Sequence, residues 1–170
     1  MGQLSYSINT PAVSFPGQPA DLTNLVATSA MAVAAPLAYG TLAVRDTANS
    51  SGIVEAGKAP ALAADITTLG NVLGVVLADQ ARAQDPSVSV AQYPIGSAVP
   101  TMRKGRAWVV VEEAVNAGDP VFVRFATGTG TQLGAFRKSA DTATAAQLPT
   151  AVYRSAAGAA GYAILEMDLV

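Results

Sequence analysis

The chain has 170 residues, a net charge of −2, and neither cysteine nor histidine. These absences exclude disulfides, thiolate metal sites, cysteine nucleophiles and every mechanism that depends on histidine. Charged residues make up 13% of the chain, about half the usual share, and the hydrophobic 51% is mostly Ala and Val. A surface so poor in charge favours extensive contact with other protein, and the small negative charge gives no general attraction to nucleic acid or membranes.

Residues 1–24 are predicted to form an extended arm. Pro11, Pro16 and Pro19 lie close together, and each restricts φ and lacks a backbone N–H, which disfavours both a helix and a central strand. The apolar side chains of this segment lack helical spacing: Tyr6, Ile8, Val13 and Phe15. An exposed apolar arm costs solubility unless it docks on a surface. The alternative is a frayed terminus.

Residues 22–44 contain no charge, and this stretch is long enough to cross a bilayer. Thr, Ser, Asn and Gly dilute it, Pro36 interrupts it, and no basic residue precedes it as in a signal peptide. No membrane partner is therefore expected, and the protein is expected to be made and assembled in a cytoplasm.

The remaining chain reads as short strands separated by Gly, Pro and Ser turns. One short helix is predicted at residues 61–69, and loops are predicted at residues 46–52 and 80–90. Strands are predicted at residues 37–45, 72–79, 98–102, 105–111, 121–125, 132–137 and 162–170. This pattern predicts an all-β fold: a compact β-barrel or β-sandwich over residues 25–170, a single β-rich domain with at most one or two short helices.

The sequence offers little chemistry. Glu112 and Glu113 are adjacent, and on a strand they would point to opposite faces, so they are not expected to share a site. The glycines at 128–130 lack the dinucleotide spacing, and Gly57-Lys58 lacks the Ser or Thr of a phosphate loop. No catalytic, cofactor-binding or metal-binding residue is predicted, and the protein is expected not to be an enzyme.

Five segments, in order along the chain, carry a family resemblance. They are Pro-Ala-Val-Ser-Phe-Pro-Gly-Gln-Pro-Ala-Asp at 11–21, Leu-Gly-Val-Val-Leu at 73–77, Val-Pro followed by Arg-Lys-Gly-Arg-Ala-Trp-Val between 99 and 109, Ala-Gly-Asp-Pro-Val-Phe-Val at 117–123, and Gly-Tyr-Ala-Ile-Leu-Glu-Met at 161–167. Together they resemble the structural cement, or head decoration, proteins of tailed bacteriophages.

The resemblance implies a homotrimer on the outer surface of the virion capsid. Its partners would be the major capsid protein and its own copies, without nucleic acid, membrane or cofactor, and its arm would lie across the shell. The cluster Arg103, Lys104 and Arg106 joins two predicted strands, and it is either a charged contact with the shell or packaged nucleic acid, or a solvated hairpin tip. The candidate interface residues are Val13, Phe15, Pro16, Gly17, Arg103, Lys104 and Arg106.

Two other classes of function remain open from the sequence. A tail, fibre or adhesin-like module would have the same small residues and β-structure. A carrier-like or carbohydrate-binding β-barrel is also conceivable, but a carrier needs a modified lysine in an acidic and Met-containing context. Lys104 lacks that context, because Thr101-Met102-Arg103 precedes it and Gly105 follows it.

Overall fold

The structure, a computed structural model, describes residues 15–49, 55–79 and 91–170. These residues form strands, one short α-helix and one 3-10 turn (Leu69–Asn71). The elements are β1 (Pro19–Ala32), β2 (Leu37–Ala38), β3 (Leu42–Arg45), β4 (Glu55–Lys58), α1 (Ala63–Thr67), β5 (Val72–Val76), β6 (Gln92–Tyr93), β7 (Ala98–Val111), β8 (Phe122–Arg124), β9 (Phe136–Arg137), β10 (Ala145–Gln147), β11 (Ala151–Tyr153) and β12 (Gly161–Asp168). The predicted all-β fold with few helices is confirmed.

Several predicted elements are confirmed, and others are wrong. The strand predicted at residues 37–45 is two short strands, β2 and β3, which belong to different sheets. The short helix and the strands at β5, β8, β9 and β12 lie where the sequence indicated. The first strand, however, begins at Pro19 and not at residue 37, because a proline is tolerated as the first residue of a strand. The two strands predicted between residues 98 and 111 are one continuous strand, β7. The predicted loop at 80–90 lies outside the described residues.

Strand pairing runs in a closed circuit. Along the main sheet β1 pairs with β4, β4 with β3, β3 with β5 and β5 with β7, and β7 then pairs with β1 again. Such a circuit is how a sheet closes into a barrel. Beyond it β7 continues, pairing with β12 and β9, and this second part of the sheet carries β8, β10 and β11. The barrel alternative of the sequence prediction therefore describes the first part of the fold.

One buried cluster joins the strands of the circuit. Ala30, Ala43, Leu73 and Val99 belong to it, and they come from β1, β3, β5 and β7. Gly57 of β4 fits against them: a Cβ there would lie 3.3 Å from the Ala30 methyl and 3.3 Å from a Leu73 methyl. A ring of only five strands leaves a narrow interior, and the small residues Ala30, Ala43 and Gly57 fit it.

The opposite face of β3 and β5 packs into a larger core. Leu42, Val44 and Val75 join side chains from β7, β8, β9 and β12 there, and all are almost fully buried. Both faces of these two strands are thus covered. This is why residues 72–77 appear in the sequence as a continuous apolar run without alternation.

A buried ionic cluster ties β8 and β9 to the loop before β10. The Arg124 side chain has no exposed surface, and its Nε lies 2.7 Å from both carboxylate oxygens of Glu112. Its Nη2 donates to Asp141 at 2.7 Å, and its Nη1 donates to Thr144 at 3.0 Å. A second buried guanidinium, that of Arg137, lies 3.1 Å from Asp141 and 3.3 Å from Glu112. Each charge in the cluster therefore has an opposite charge and hydrogen bonds, as burial demands.

The expectation that Glu112 and Glu113 would not share a site is wrong. Arg137 contacts both: its Nη1 lies 3.3 Å from Glu112 and its Nε lies 3.4 Å from Glu113. Both glutamates follow the end of β7 in a bend, so the alternation of a strand does not apply to them.

The cluster also holds an unusual backbone turn. Asp141, Thr142 and Ala143 have φ values of 45°, 55° and 66°, a left-handed run that side chains other than glycine rarely adopt. The Asp141 carboxylate accepts hydrogen bonds from the backbone N–H and the hydroxyl of Thr129 as well as from Arg124. These bonds offset the conformational cost of the turn.

Replacing Arg124 by Met should lower the free energy of unfolding by about 3–5 kcal/mol, because two buried carboxylates lose their main partner. Urea denaturation followed by fluorescence of Trp108 measures the change. Arg154→Met is the matched control: its ion pair with Glu166 is exposed, and its loss should cost less than about 1 kcal/mol. Equal effects of the two substitutions would contradict the structural role of the buried cluster.

Acid should weaken this part of the fold. The hydrogen bond from Arg124, followed by those from Thr129, holds the pKa of Asp141 well below its ordinary value. The stability that Asp141 contributes is therefore present above the unfolded-state pKa of about 4 and is lost as pH falls toward the folded-state pKa. Asp141→Asn, which tolerates the left-handed backbone, should be less stable than the parent at pH 7. The difference in unfolding midpoint between the parent and Asp141→Asn should become smaller below about pH 4. A difference that stays constant with pH would contradict this linkage.

Candidate interaction surface

Within the predicted arm of residues 1–24, Gly17 is anchored to the domain by its backbone. The Gly17 N–H donates to the Trp108 carbonyl at 2.8 Å, and the Ala78 N–H donates to the Gly17 carbonyl at 2.9 Å. Gly17 has a φ of 78°, and a Cβ there would lie 2.7 Å from the Ala78 nitrogen. Gly17 is buried, so this candidate contact residue fills a space in its own domain that only glycine fits.

Two neighbouring candidate residues are only half-buried. The Phe15 ring stands edge-on to the ring of Tyr39, with centroids 6.0 Å apart. Pro16 packs close to Gly40, whose added Cβ would lie 2.9 Å from the Pro16 Cβ. Both side chains therefore touch the domain and keep part of their surface exposed. Val13, the remaining apolar candidate, lies outside the described residues.

The basic candidates lie in the middle of β7, so their interpretation as a hairpin tip is wrong. Arg106 and Lys104 stand directly opposite Glu166 and Asp168 of β12 in the strand register. The Lys104 Nζ lies 2.8 Å from Asp168 and the Arg106 Nε lies 2.5 Å from Glu166. Arg103 Nη2 approaches the backbone carbonyl of Leu169 at 3.5 Å. The structure thus brings the three basic residues together along one strand but pairs them within the chain.

These cross-strand pairs neutralise one another. Hydrogen bonds from Arg154, and then from Arg106, lower the pKa of Glu166 to about 2. The hydrogen bond from Lys104 likewise lowers the pKa of Asp168. Both carboxylates therefore stay charged at neutral pH beside their cations. Exposed pairs of this kind add little stability, but they offset the charges of Lys104 and Arg106 and so reduce the positive charge that the sequence cluster indicated.

A groove of about 270 Å³ lies beside these pairs, between β1 and β12. Its charged lining consists of two cations and three carboxylates: Lys104, Arg106, Asp21, Glu166 and Asp168. The groove is therefore slightly acidic. It has neither the excess of positive charge that phosphate binding requires nor a dominant hydrophobic lining.

Sequence reasoning missed the most exposed element, β1. The register between β1 and β7 shifts near Gly105, which has a φ of 126°. Leu25 of β1 packs against this glycine, and Leu22 projects outward. Leu22 is 74% exposed, Val26 is 41% exposed and Met31 is 38% exposed. The signal that pointed to this element was the charge-free run that begins at residue 22.

Further large apolar side chains are exposed outside β1. Leu62 and Leu69 flank α1, Ile95 lies in a turn, and Tyr162 lies near the start of β12. They are distributed over several elements and do not follow one continuous strand.

Membrane-spanning helices and clusters of metal ligands are both absent from the described residues. No helix among them is long and apolar enough to cross a membrane. No group of three or more Asp or Glu side chains in the described ranges is arranged to hold a metal ion.

Comparisons with known proteins agree with the resemblance seen in the sequence. A search of curated proteins gives no significant match. A solved structure, "The capsid of Myoviridae Phage XM1", contains a chain with the same fold at a TM-score of 0.66 and 13% identity. The match covers 99% of this chain and 98% of that one. The family model described as "Structural cement protein (E217 gp24/Pam3 gp6)" matches residues 2–168. Because this match spans nearly the whole chain, the protein belongs to the family of phage structural cement proteins.

Proposed function

We propose that this protein binds the outer surface of an assembled phage capsid and stabilises the shell by bridging neighbouring capsid subunits. The family match over residues 2–168 carries the proposal, since the family is described as structural cement. The partner is the major capsid protein, and the copies associate with one another as a homotrimer. The protein acts by binding and not by catalysis.

The physical mechanism is linkage between binding and assembly. A protein that binds the assembled shell but not its separated subunits stabilises the shell by mass action. A trimer that touches several subunits at once adds avidity through effective concentration, so each single contact can be weak. Two features of the chain support this role: a stable β-domain, and a preceding segment that keeps apolar surface exposed at Phe15 and Pro16.

The proposed contacts come from two regions. The arm contributes Val13, Phe15 and Pro16, and β7 contributes the polar side chains of Arg103, Lys104 and Arg106. Because Lys104 and Arg106 are paired with carboxylates, they would contact the shell through hydrogen bonds and their aliphatic stems and not through net charge.

The first test is the copy number of the protein in purified virions, measured by quantitative mass spectrometry relative to the major capsid protein. A decoration protein should be present at a number comparable with that of the capsid subunit. A few copies per particle would indicate a tail, fibre or vertex protein. Complete absence from virions would contradict a structural role of any kind.

The arm can be tested by deletion, and the structure sets the end point. Deleting residues 1–14 should weaken binding to shells that lack the protein while leaving the thermal unfolding midpoint unchanged. Deleting residues 1–20 should also lower that midpoint, because it removes the Gly17 backbone bonds and the start of β1. Undiminished shell binding by the shorter deletion would contradict the role of the arm.

A further inference from the structure

We infer that the exposed strand segment Leu22–Met31 of β1 is a third docking surface for the shell, beside the arm and the basic residues of β7, and that it fits an uncharged protein surface. We call this surface, residues 22–31, the neutral strand face. The inference rests on the proposed function and adds the place and the chemistry of the contact.

The first observation is exposure without charge. No Asp, Glu, Lys or Arg occurs among the ten residues of the neutral strand face. From Val26 to Ser29, four successive side chains are exposed. Successive side chains of a strand point to opposite faces, so a strand that covers a core has every second residue buried. This part of β1 is therefore uncovered on both sides.

The second observation is that such a strand is a liability for an isolated protein. Soluble proteins usually protect a long exposed strand with lysines, prolines or an inward charge. The neutral strand face has no lysine, proline or inward charge, and its only such device is the irregular pairing with β7 around Val26. It still exposes Leu22 at its beginning and Met31 at its end. An edge so poor in charge is consistent with a surface that another protein covers.

The third observation is electrostatic. Most charged side chains around the neutral strand face are paired inside the chain: Arg106 with Glu166, Lys104 with Asp168, and Arg45 with Glu55. Arg103 of β7 instead approaches the Leu169 carbonyl. Asp21, which precedes the face, is bound by the backbone N–H and hydroxyl of Thr23. The surroundings therefore present no strong field of either sign. The complementary partner is a surface of apolar and uncharged hydrogen-bonding groups, here on the capsid subunit.

The fourth observation is continuity with the arm. The part of the chain outside the described structure at this end is residues 1–14, and it joins Phe15 four residues before β1. An arm that lies across the shell would hold β1 near the same surface. The exposed leucines that flank α1, Leu62 and Leu69, lack this connection.

The test uses the full-length protein and purified phage heads that lack it, with the bound fraction measured by co-sedimentation. Leu22→Lys should weaken binding by about tenfold or more, because a charge would be buried without a partner. Leu62→Lys is the matched control, since it places the same charge on an equally exposed leucine outside the face, 63% exposed against 74%. It should bind like the parent.

A second pair of variants examines the other end of the face. Ser29→Lys should reproduce the loss of binding, because Ser29 is exposed on β1 and would bring an unpartnered charge into the same contact. Gln147→Lys is its control, since Gln147 is an exposed, uncharged strand residue on β10, outside the face. This control should also bind like the parent.

Each variant must first show the thermal midpoint of the parent. Should Leu22→Lys fail to fold, Leu22→Ser, which keeps the face neutral but removes apolar area, replaces it and should weaken binding less than tenfold but measurably. Loss of binding by Leu62→Lys with normal binding by both variants of the neutral strand face would overturn the inference and point to α1.

A salt series gives an independent readout. Binding of the parent should change by less than about threefold between about 0.05 and 0.5 M salt, because contacts between uncharged groups are not screened. A loss of binding of about a hundredfold or more over this range would indicate charge pairing across the interface and would overturn the inference. A parent that binds no heads at any salt concentration would refute the proposed function itself, which separates the two failures.

Discussion

The fold depends on one long strand, β7, whose backbone is paired along both edges. Its first half pairs with β1 and β5 and closes the barrel circuit, and its second half pairs with β12 and β9. A strand of fourteen residues can serve two cores only if the chain bends and still continues its hydrogen bonds. Gly105 and Gly74 permit this close approach, since a Cβ on Gly74 would collide with the Met102 carbonyl group. The other strands are arranged around this shared element.

The distribution of charge follows from the same arrangement. The register between β7 and β12 places two cations directly opposite two carboxylates, and the loops at the far end bury Arg124 and Arg137 among acidic side chains. A chain with few charges thus uses many of them internally. What remains exposed on β1 is neutral, and a neutral, extended surface fits the role of a protein that covers and bridges other protein subunits.

The fold class and several elements could be predicted because their signals are local. The apolar run of β5 and the alternation of Ala163, Leu165 and Met167 in β12 each reflect which faces are buried. The continuity of β7 could not be predicted, because Arg103-Lys104-Gly105-Arg106 has the composition of a turn. Only the partners on both edges, supplied by β1 and β12, keep this segment extended. β1 was missed because Pro11, Pro16 and Pro19 suggested an arm, and because the charge-free run was weighed only as a membrane segment, which was rejected.

For the candidate interaction surface, too, some features follow from the sequence and others only from the tertiary structure. The sequence by itself determined that this protein has no cysteine or histidine chemistry, is built of small apolar residues in short strands, and carries the ordered motifs of phage cement proteins. Only the tertiary structure decided that Lys104 and Arg106 are paired with carboxylates, that Gly17 is buried and that β1 is exposed. The physical reason is that composition and periodicity depend on neighbours along the chain. The partner of a charge, and the cover over a strand, depend on residues brought together from about 60 positions apart, as Arg106 and Glu166 are.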